Sequence, residues 1–184
     1  PALVAGEGSY KKNHTLVRGF NKNQVNTAQF LAYPSSVTGG VQVATATVND
    51  KTLIVTAPLR DGSVREIRVF DKNGGLHHTF NVNHINNPYV IATGKFIKKG
   101  NCEQIAVAAR NQKGDNTLIS IYSAASGMMF LKNISVKIPG NIKEKQNLQI
   151  SVSHQEPLDK LILYYKKSRK VLMADVENGK VYKY

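Results

Sequence analysis

The chain has 184 residues, a formal net charge of +13, and 41% hydrophobic and 8% aromatic residues. This apolar content is enough for a folded core, which excludes an intrinsically disordered chain. No apolar run approaches the roughly 20 residues that a membrane-spanning helix needs, so we expect no transmembrane segment. The single cysteine, Cys102, excludes an internal disulfide and a pair of cysteine metal ligands.

The sequence repeats itself about every fifty residues, and a fixed period of this size indicates a repeat architecture. A motif that begins at Phe30 returns at Phe80, at Phe130 and, less closely, at Val181. Between these points, apolar residues alternate or form short runs, and turns rich in Gly, Asn, Asp and Lys separate them. This pattern predicts many short strands and no helix.

The predicted strands form four groups, and we label the strands a to d by their position in the repeat. The first unit, residues 1–34, is partial: residues 2–6, 15–20 and 29–33 match b, c and d, and nothing precedes them as a. The second unit covers 41–83, with strands at 41–48, 52–57, 65–71 and 76–83. The third unit covers 89–137 and the fourth covers 147–184.

Four-stranded antiparallel units repeated at this length are typical of the blades of a β-propeller. We therefore expect an all-β fold, a single β-propeller segment of about four four-stranded blades whose first blade lacks its inner strand. A propeller closes by joining its first and last blades, and an unpaired inner edge is exposed. We expect residues 2–6 to pair with residues from elsewhere: an absent N-terminal part, a second chain or a symmetry mate.

Three of the four units resemble a known repeat. The second unit carries the segments 39–44 (GGVQVA), 53–58 (LIVTAP) and 67–71 (IRVFD), which resemble the FG-GAP/VCBS repeat of integrin-α-like propellers. Residues 16–20 and 30–34 resemble strands of the same family. The resemblance implies adhesion or protein–protein contact, in an extracellular or cell-surface protein. No catalytic constellation competes with that function, and we expect no catalytic residue and no cofactor.

The a–b turns depart from the family pattern, which usually has an aspartate-rich calcium loop there. The corresponding turns read 49–51 (NDK), 98–101 (KKGN) and 155–159 (QEPLD). Calcium takes six to eight oxygen ligands, and one or two carboxylates cannot neutralise it, so we expect no metal at these turns. His77 and His78 are adjacent on a predicted strand, and we expect them to point to opposite faces and not to chelate one ion.

Each predicted b–c turn carries lysine or arginine. The b–c turns of a propeller emerge at one end, so every unit adds a cation to the same rim, and such a ring attracts an anionic polymer. We predict a ligand-binding surface, called the basic rim below, formed by Lys11, Lys12, Arg60, Arg65, Lys113, Lys167 and Arg169. A competing interpretation is that Asp61 and Asp115 partly cancel this charge and that turns are often rich in lysine.

The sequence leaves three functions open. The first is a non-catalytic binding or scaffold propeller for protein–protein or adhesion contacts, within a larger or multi-chain propeller. The alternative is a module that binds an anionic polysaccharide or nucleic acid through the basic rim. Tyr10 is the only aromatic residue in the first three b–c turns, which argues against base stacking with a single strand. The third is a carbohydrate-active enzyme domain, although no carboxylate pair is placed by spacing for acid–base work.

Overall fold

A computed structural model shows an all-β chain, as the repeat predicted. The structure describes residues 3–8, 10–60, 64–82, 88–98, 102–112, 114–125, 130–138 and 146–183. These residues hold sixteen strands and no helix, so none of them belongs to a helix that could cross a membrane. The strands form four antiparallel sheets, which are the blades of a β-propeller.

Within each blade the strands follow one another in chain order from the propeller axis outward. The first blade comprises β1 (Leu3–Gly6), β2 (Leu16–Phe20) and β3 (Asn26–Leu31). The second comprises β4 (Val41–Val48), β5 (Lys51–Pro58), β6 (Glu66–Asp71) and β7 (Leu76–Asn81). The third comprises β8 (Tyr89–Gly94), β9 (Gln104–Ala109), β11 (Asn116–Ser123) and β12 (Phe130–Lys137). The fourth comprises β13 (Gln146–Ser153), β14 (Lys160–Tyr165), β15 (Lys170–Asp175) and β16 (Lys180–Lys183).

Among the residues that the structure describes, the first blade has three strands, as predicted, and lacks an inner strand. β1 pairs with β2 along one edge, and no described strand pairs with its other edge, whereas the remaining blades each begin on an inner strand, β4, β8 or β13. One short strand, β10 (Asn111–Gln112), was not predicted. It leaves the third blade and pairs with β13, and this ties the third blade to the fourth.

Three buried cores lie between successive blades. Side chains alternate between the two faces of a strand, so each sheet presents one face to the blade before it and one to the blade after it. Val17 packs with Ile54 in the first core, Val55 with Ile105 in the second, and Ile119 with Leu163 in the third. Among the described residues, no fourth core joins the last blade to the first.

Buried tyrosine hydroxyls form hydrogen bonds between neighbouring blades, close to the b–c turns. The hydroxyl of Tyr33, 1% exposed, lies 3.0 Å from the carbonyl oxygens of both Thr56 and Glu66 in the second blade and donates there. The hydroxyl of Tyr165 donates to Oγ1 of Thr117 at 2.9 Å. Burial raises the pKa of Tyr165 to about 12, which keeps the phenol protonated as a donor.

The connection between the first two blades requires glycine at position 40. Gly40 has φ of +86°, and a Cβ there would lie 2.2 Å from the carbonyl oxygen of Gly8. The next residue, Val41, donates its N–H to the carbonyl oxygen of Glu7 at 2.9 Å. The end of β1 is therefore held directly against the start of β4.

Candidate binding surfaces at the axis and the basic end

The two ends of the propeller differ in charge. The b–c turns and the connections between blades lie at one end, the b–c end, and the a–b and c–d turns lie at the other, the a–b end. The chain has twelve acidic residues, of which Asp61 and Glu144 lie outside the described residues. Three of the other ten lie at the b–c end, and the remaining seven lie at the a–b end: Asp50, Asp71, Glu103, Glu156, Asp159, Asp175 and Glu177.

The structure places six of the seven predicted rim residues at the b–c end. They are all exposed: Lys11, Lys12, Arg60, Arg65, Lys167 and Arg169. Lys113 lies outside the described residues. The side chain of Arg60 lies across Gly39, where a Cβ would be 2.4 Å from its Cδ. With few carboxylates at this end, the rim keeps a net positive field, and its binding of a ligand stays a prediction.

A cavity of about 530 Å³, called the axial cavity below, lies on the propeller axis towards the b–c end. The strand nearest the axis in each blade contributes to its wall: Val4 comes from β1, Val43 from β4, Val90 from β8 and Ser151 from β13. Its volume is in the range of about 300–1,000 Å³ that is usual for ligand pockets. The axis is therefore open to a ligand beside the basic rim.

Arg110 lines the axial cavity and was not among the predicted rim residues. It directly follows β9, and its backbone accepts a hydrogen bond at 2.7 Å from the N–H of Leu148 in the fourth blade. Its Nε is buried and has no hydrogen-bond partner within the described part of the chain. Burial lowers the pKa of this guanidinium below its ordinary value. Arg110 stands where the second blade has Leu59, and this change from an apolar to a charged residue is the sequence signal that could have identified it.

Glu7 of the first blade holds the position equivalent to Arg110. Its carbonyl oxygen accepts from Val41, the first residue of β4, just as that of Arg110 accepts from Leu148 near the start of β13. Oε2 of Glu7 is buried and, like Nε of Arg110, has no partner among the described residues. Two side chains of opposite charge, in the first and third blades, therefore each leave one buried polar atom unpaired.

The bare edge of β1 faces the axial cavity. The N–H of Glu7 donates to the carbonyl oxygen of Leu16 in β2 at 3.0 Å. Because hydrogen-bonding groups alternate along an antiparallel strand, Ala5 directs its N–H and C=O to β2, whereas Val4 and Gly6 direct theirs to the bare edge. Val4 and Gly6 also line the axial cavity. The cavity wall thus includes strand-edge donors and acceptors.

The outward faces of the first and fourth blades are rich in apolar side chains. The open face of the first blade carries Leu3, Ala5, Leu16, Phe20 and Leu31, and the pair Arg18 and Gln29 lies among them. The open face of the fourth blade carries Ile162, Tyr164, Val171, Met173 and Tyr182 beside the polar residues Gln149, Ser151 and Lys160. Leu3 is 61% exposed and Tyr182 is 40% exposed. Phe80, on the corresponding face of the second blade, is 4% exposed because the third blade covers that face.

His77 and His78 lie together, so the prediction that they point to opposite faces was wrong. A β-bulge pairs Phe70 with Leu76 and Val69 with His78, which leaves His77 as the extra residue. The two Nδ1 atoms are 2.9 Å apart. The bulge interrupts the alternation on which the prediction depended. No group of three or more His, Cys, Asp or Glu suited to a metal ion occurs in the described ranges.

Carboxylates at the a–b end join neighbouring blades through backbone hydrogen bonds. Oε2 of Glu103 accepts from the N–H of Thr47 at 2.7 Å, which links the third blade to the second. Oδ2 of Asp159 accepts from the N–H of Lys95 at 2.8 Å, which links the fourth to the third. Carboxylates at this end of the propeller therefore link neighbouring blades.

Comparison with known proteins gives no relative for the chain: no protein-family model, no curated protein and no solved structure matches it. The resemblance to the FG-GAP/VCBS repeat therefore stays a prediction. The geometry at the axis, at the basic rim and on the two open faces carries the functional argument.

Proposed function

We propose that the chain is a non-catalytic binding or scaffold propeller that mediates protein–protein contacts. The gap between the fourth and first blades supports this proposal. Two open faces that are rich in apolar side chains and the bare edge of β1 border that gap. Exposed apolar patches and unpaired strand edges are the surfaces through which proteins associate.

The three covered interfaces show what the open faces can gain from a partner. Phe30 contacts Phe70 across the first interface, with ring centroids 4.7 Å apart, and Phe80 contacts Tyr122 across the second at 4.9 Å. Tyr182 is an aromatic residue on the open face of the fourth blade, and Lys160 of its own blade lies over the ring. Burial of a large apolar side chain stabilises an interface by about 1.5–3 kcal/mol.

The resemblance to the FG-GAP/VCBS repeat suggests where the protein would act. A propeller of the FG-GAP/VCBS type would act in adhesion, outside the cell or at its surface. Propellers have about four to eight blades, so a partner that occupies the gap would complete a larger or multi-chain propeller.

A double variant on both open faces tests the proposed function. The purified chain is used to capture proteins from its source cells, and each captured protein is purified and its affinity measured. We expect Leu3→Lys/Tyr182→Lys to weaken partner binding at least about tenfold, because both charges would enter an apolar contact. Leu76→Lys is the matched control, since Leu76 is 56% exposed on the outer strand β7, away from the gap.

Two results would contradict this function. The first is that the chain binds no protein, and the second is that the double variant and the Leu76→Lys control bind equally well. Salt dependence provides a further check, because an apolar contact changes little between about 50 and about 500 mM salt, whereas polyanion binding weakens by orders of magnitude.

A second candidate function is polyanion binding through the basic rim, and the charge difference between the two ends favours it. We expect Lys11→Gln/Lys12→Gln/Arg60→Gln/Arg169→Gln to reduce the affinity for a sulfated polysaccharide. The matched control, Lys22→Gln/Lys72→Gln/Lys95→Gln/Lys180→Gln, removes the same net charge from the a–b end. Equal losses in the two variants would show attraction to net charge alone and would exclude a rim site.

A further inference from the structure

We propose that the axial cavity receives an extended segment of a different protein, which pairs antiparallel with β1 and places an acidic side chain against Arg110. This inference rests on the proposed function and specifies the chemistry of the partner. The open faces indicate that a partner binds in the gap. The inference adds the axial cavity as its binding site and antiparallel pairing with β1 as its orientation.

The backbone of β1 provides the first argument. Val4 and Gly6 direct their N–H and C=O groups into the cavity, and no described strand pairs with that edge. An edge strand of this kind accepts an added strand, because main-chain hydrogen bonds supply affinity and side chains supply selectivity. The added strand would take the place that β4, β8 and β13 take in the other blades.

Arg110, which lines the cavity, provides the second argument. Its Nε is buried without a hydrogen-bond partner among the described residues and requires an acceptor. A buried polar atom without a partner is costly, so an occupant that supplies an acceptor is favoured. A peptide with one carboxylate offers that acceptor and can pair its backbone with β1 at the same time, whereas a free anion offers the acceptor alone.

The direction of the added strand sets the position of its acidic residue. β4, β8 and β13 each begin at the b–c end and run towards the a–b end, and they contain eight, six and eight residues. Arg110 lies at the b–c end, directly after β9. The carboxylate should therefore lie near the amino end of the bound segment. Arginine pairs well with carboxylate, because the guanidinium can form two parallel hydrogen bonds.

Synthetic octapeptides patterned on β4, whose sequence is VQVATATV, test this inference with the full chain. One peptide has Glu at its second position, one has Glu at its seventh, one has Lys at its second, and the parent has Gln there. Fluorescence anisotropy measures their binding. We expect Glu at the second position to bind at least about tenfold more tightly than the parent, and Lys to bind more weakly.

Two variants of the chain separate the backbone contact from the charge contact. Val4→Pro removes an N–H that faces the bare edge and leaves the bonds to β2 in place. We expect it to bind the best peptide at least about tenfold more weakly than Val4→Ala, which keeps that N–H. Arg110→Met should abolish the preference for Glu over Gln, whereas Lys72→Met, at the other end of the propeller, should keep it.

Four results would overturn the inference. The first is equal binding of all four peptides, and the second is competition by free glutamate or sulfate as strong as that by the peptide. The third is a native mass of two or more chains in a form that no longer binds the peptide, which would assign the cavity to a second copy of the chain. The fourth is a Glu preference that survives Arg110→Met. A protein partner that is lost with Leu3→Lys/Tyr182→Lys but retained by both Val4→Pro and Arg110→Met would overturn strand addition and leave the proposed function standing.

Discussion

The interface between the second and third blades and the gap between the fourth and first are built from the same repeat, yet they differ in burial. At the interface, Ile105 and Val107 are fully buried, and the rings of Phe80 and Tyr122 lie 4.9 Å apart. In the gap, Leu3 is 61% exposed and Tyr182 is 40% exposed. The repeat makes a position apolar, but only a neighbouring blade buries it.

This difference concentrates stability at the three covered interfaces. In repeat architectures, stability is approximately the sum of the stability of each repeat and of the contacts between neighbours. Substitutions in a covered interface should therefore reduce the free energy of unfolding, whereas substitutions on an open face should affect partner binding.

The largest effect should come from a cavity in a covered interface. Ile105→Ala removes a fully buried side chain from the core between the second and third blades. We expect it to lower the free energy of unfolding by about 3–4 kcal/mol, through lost burial and the cavity left behind. Urea denaturation measures this change, and a loss below about 1 kcal/mol would show that the interface is not tightly packed.

A slightly smaller effect should come from the backbone contact between the first two blades. Gly40→Ala would strain a residue with φ of +86° and place Cβ 2.2 Å from the Gly8 carbonyl oxygen. We expect a loss of about 2–3 kcal/mol in the free energy of unfolding. Gly114→Ala is the matched control, because Gly114 has φ of +77° but no atom within 4 Å of its Cβ position. Its loss should be about 1 kcal/mol, and equal losses would exclude the contact with Gly8.

Arg110→Met should change stability in the opposite direction. It removes a guanidinium whose Nε is buried without a partner, and it keeps most of the apolar length of the side chain. We expect the free energy of unfolding to rise by about 0.5–1 kcal/mol in the absence of a peptide. Lys72→Met, exposed at the a–b end, should leave stability unchanged. A loss of stability in Arg110→Met would show that Arg110 already has a stabilising role in the free chain.

The outer edge of the second blade should give a small effect that depends on pH. Burial, and then the neighbouring His77, lower the pKa of His78 below its ordinary value of 6.5. The unfolded chain therefore takes up a proton near that value before the folded chain does, so stability falls as pH decreases below about 6.5. We expect Tm to fall less in His78→Asn than in the wild type between about pH 7.5 and about pH 5.5. An equal fall in both would exclude this role for His78.

The smallest effect should come from the open face of the first blade. Leu3→Ala removes a side chain that is 61% exposed, so we expect the free energy of unfolding to change by less than about 0.5 kcal/mol. The result sharpens the contrast with Ile105→Ala, which removes a side chain of the same size. A loss above about 2 kcal/mol would mean that the gap is covered in the free chain.

Local sequence patterns were sufficient to predict the strands and the blades. The inner strand predicted at 41–48 has the same bounds as β4. The alternation of apolar and polar residues begins at Val41, and the turn at Asn49 and Asp50 ends the strand. The missing inner strand of the first blade was also predictable, because it is a gap in a periodic pattern. The same reasoning placed the basic rim at the b–c end, since the order of strands in a blade sets the position of its turns.

The features that were missed depend on contacts between residues far apart in the chain. β10 exists because Asn111 pairs with Asn147, and the position of Arg110 on the axis is held by its bond to Leu148. The approach of His77 and His78 results from a bulge in the pairing of β6 with β7. Periodicity describes one strand at a time, so it carries no information on these pairings.

The arrangement of the three buried cores also has a kinetic consequence. Each core joins two blades that are adjacent in the chain, and in the part of the chain that the structure describes no core requires the first blade to meet the last. Contacts between adjacent units have modest sequence separation, which favours faster folding than contacts that span a whole domain. During synthesis, each blade can pack as soon as the next blade has emerged from the ribosome, so assembly of the propeller can keep pace with translation.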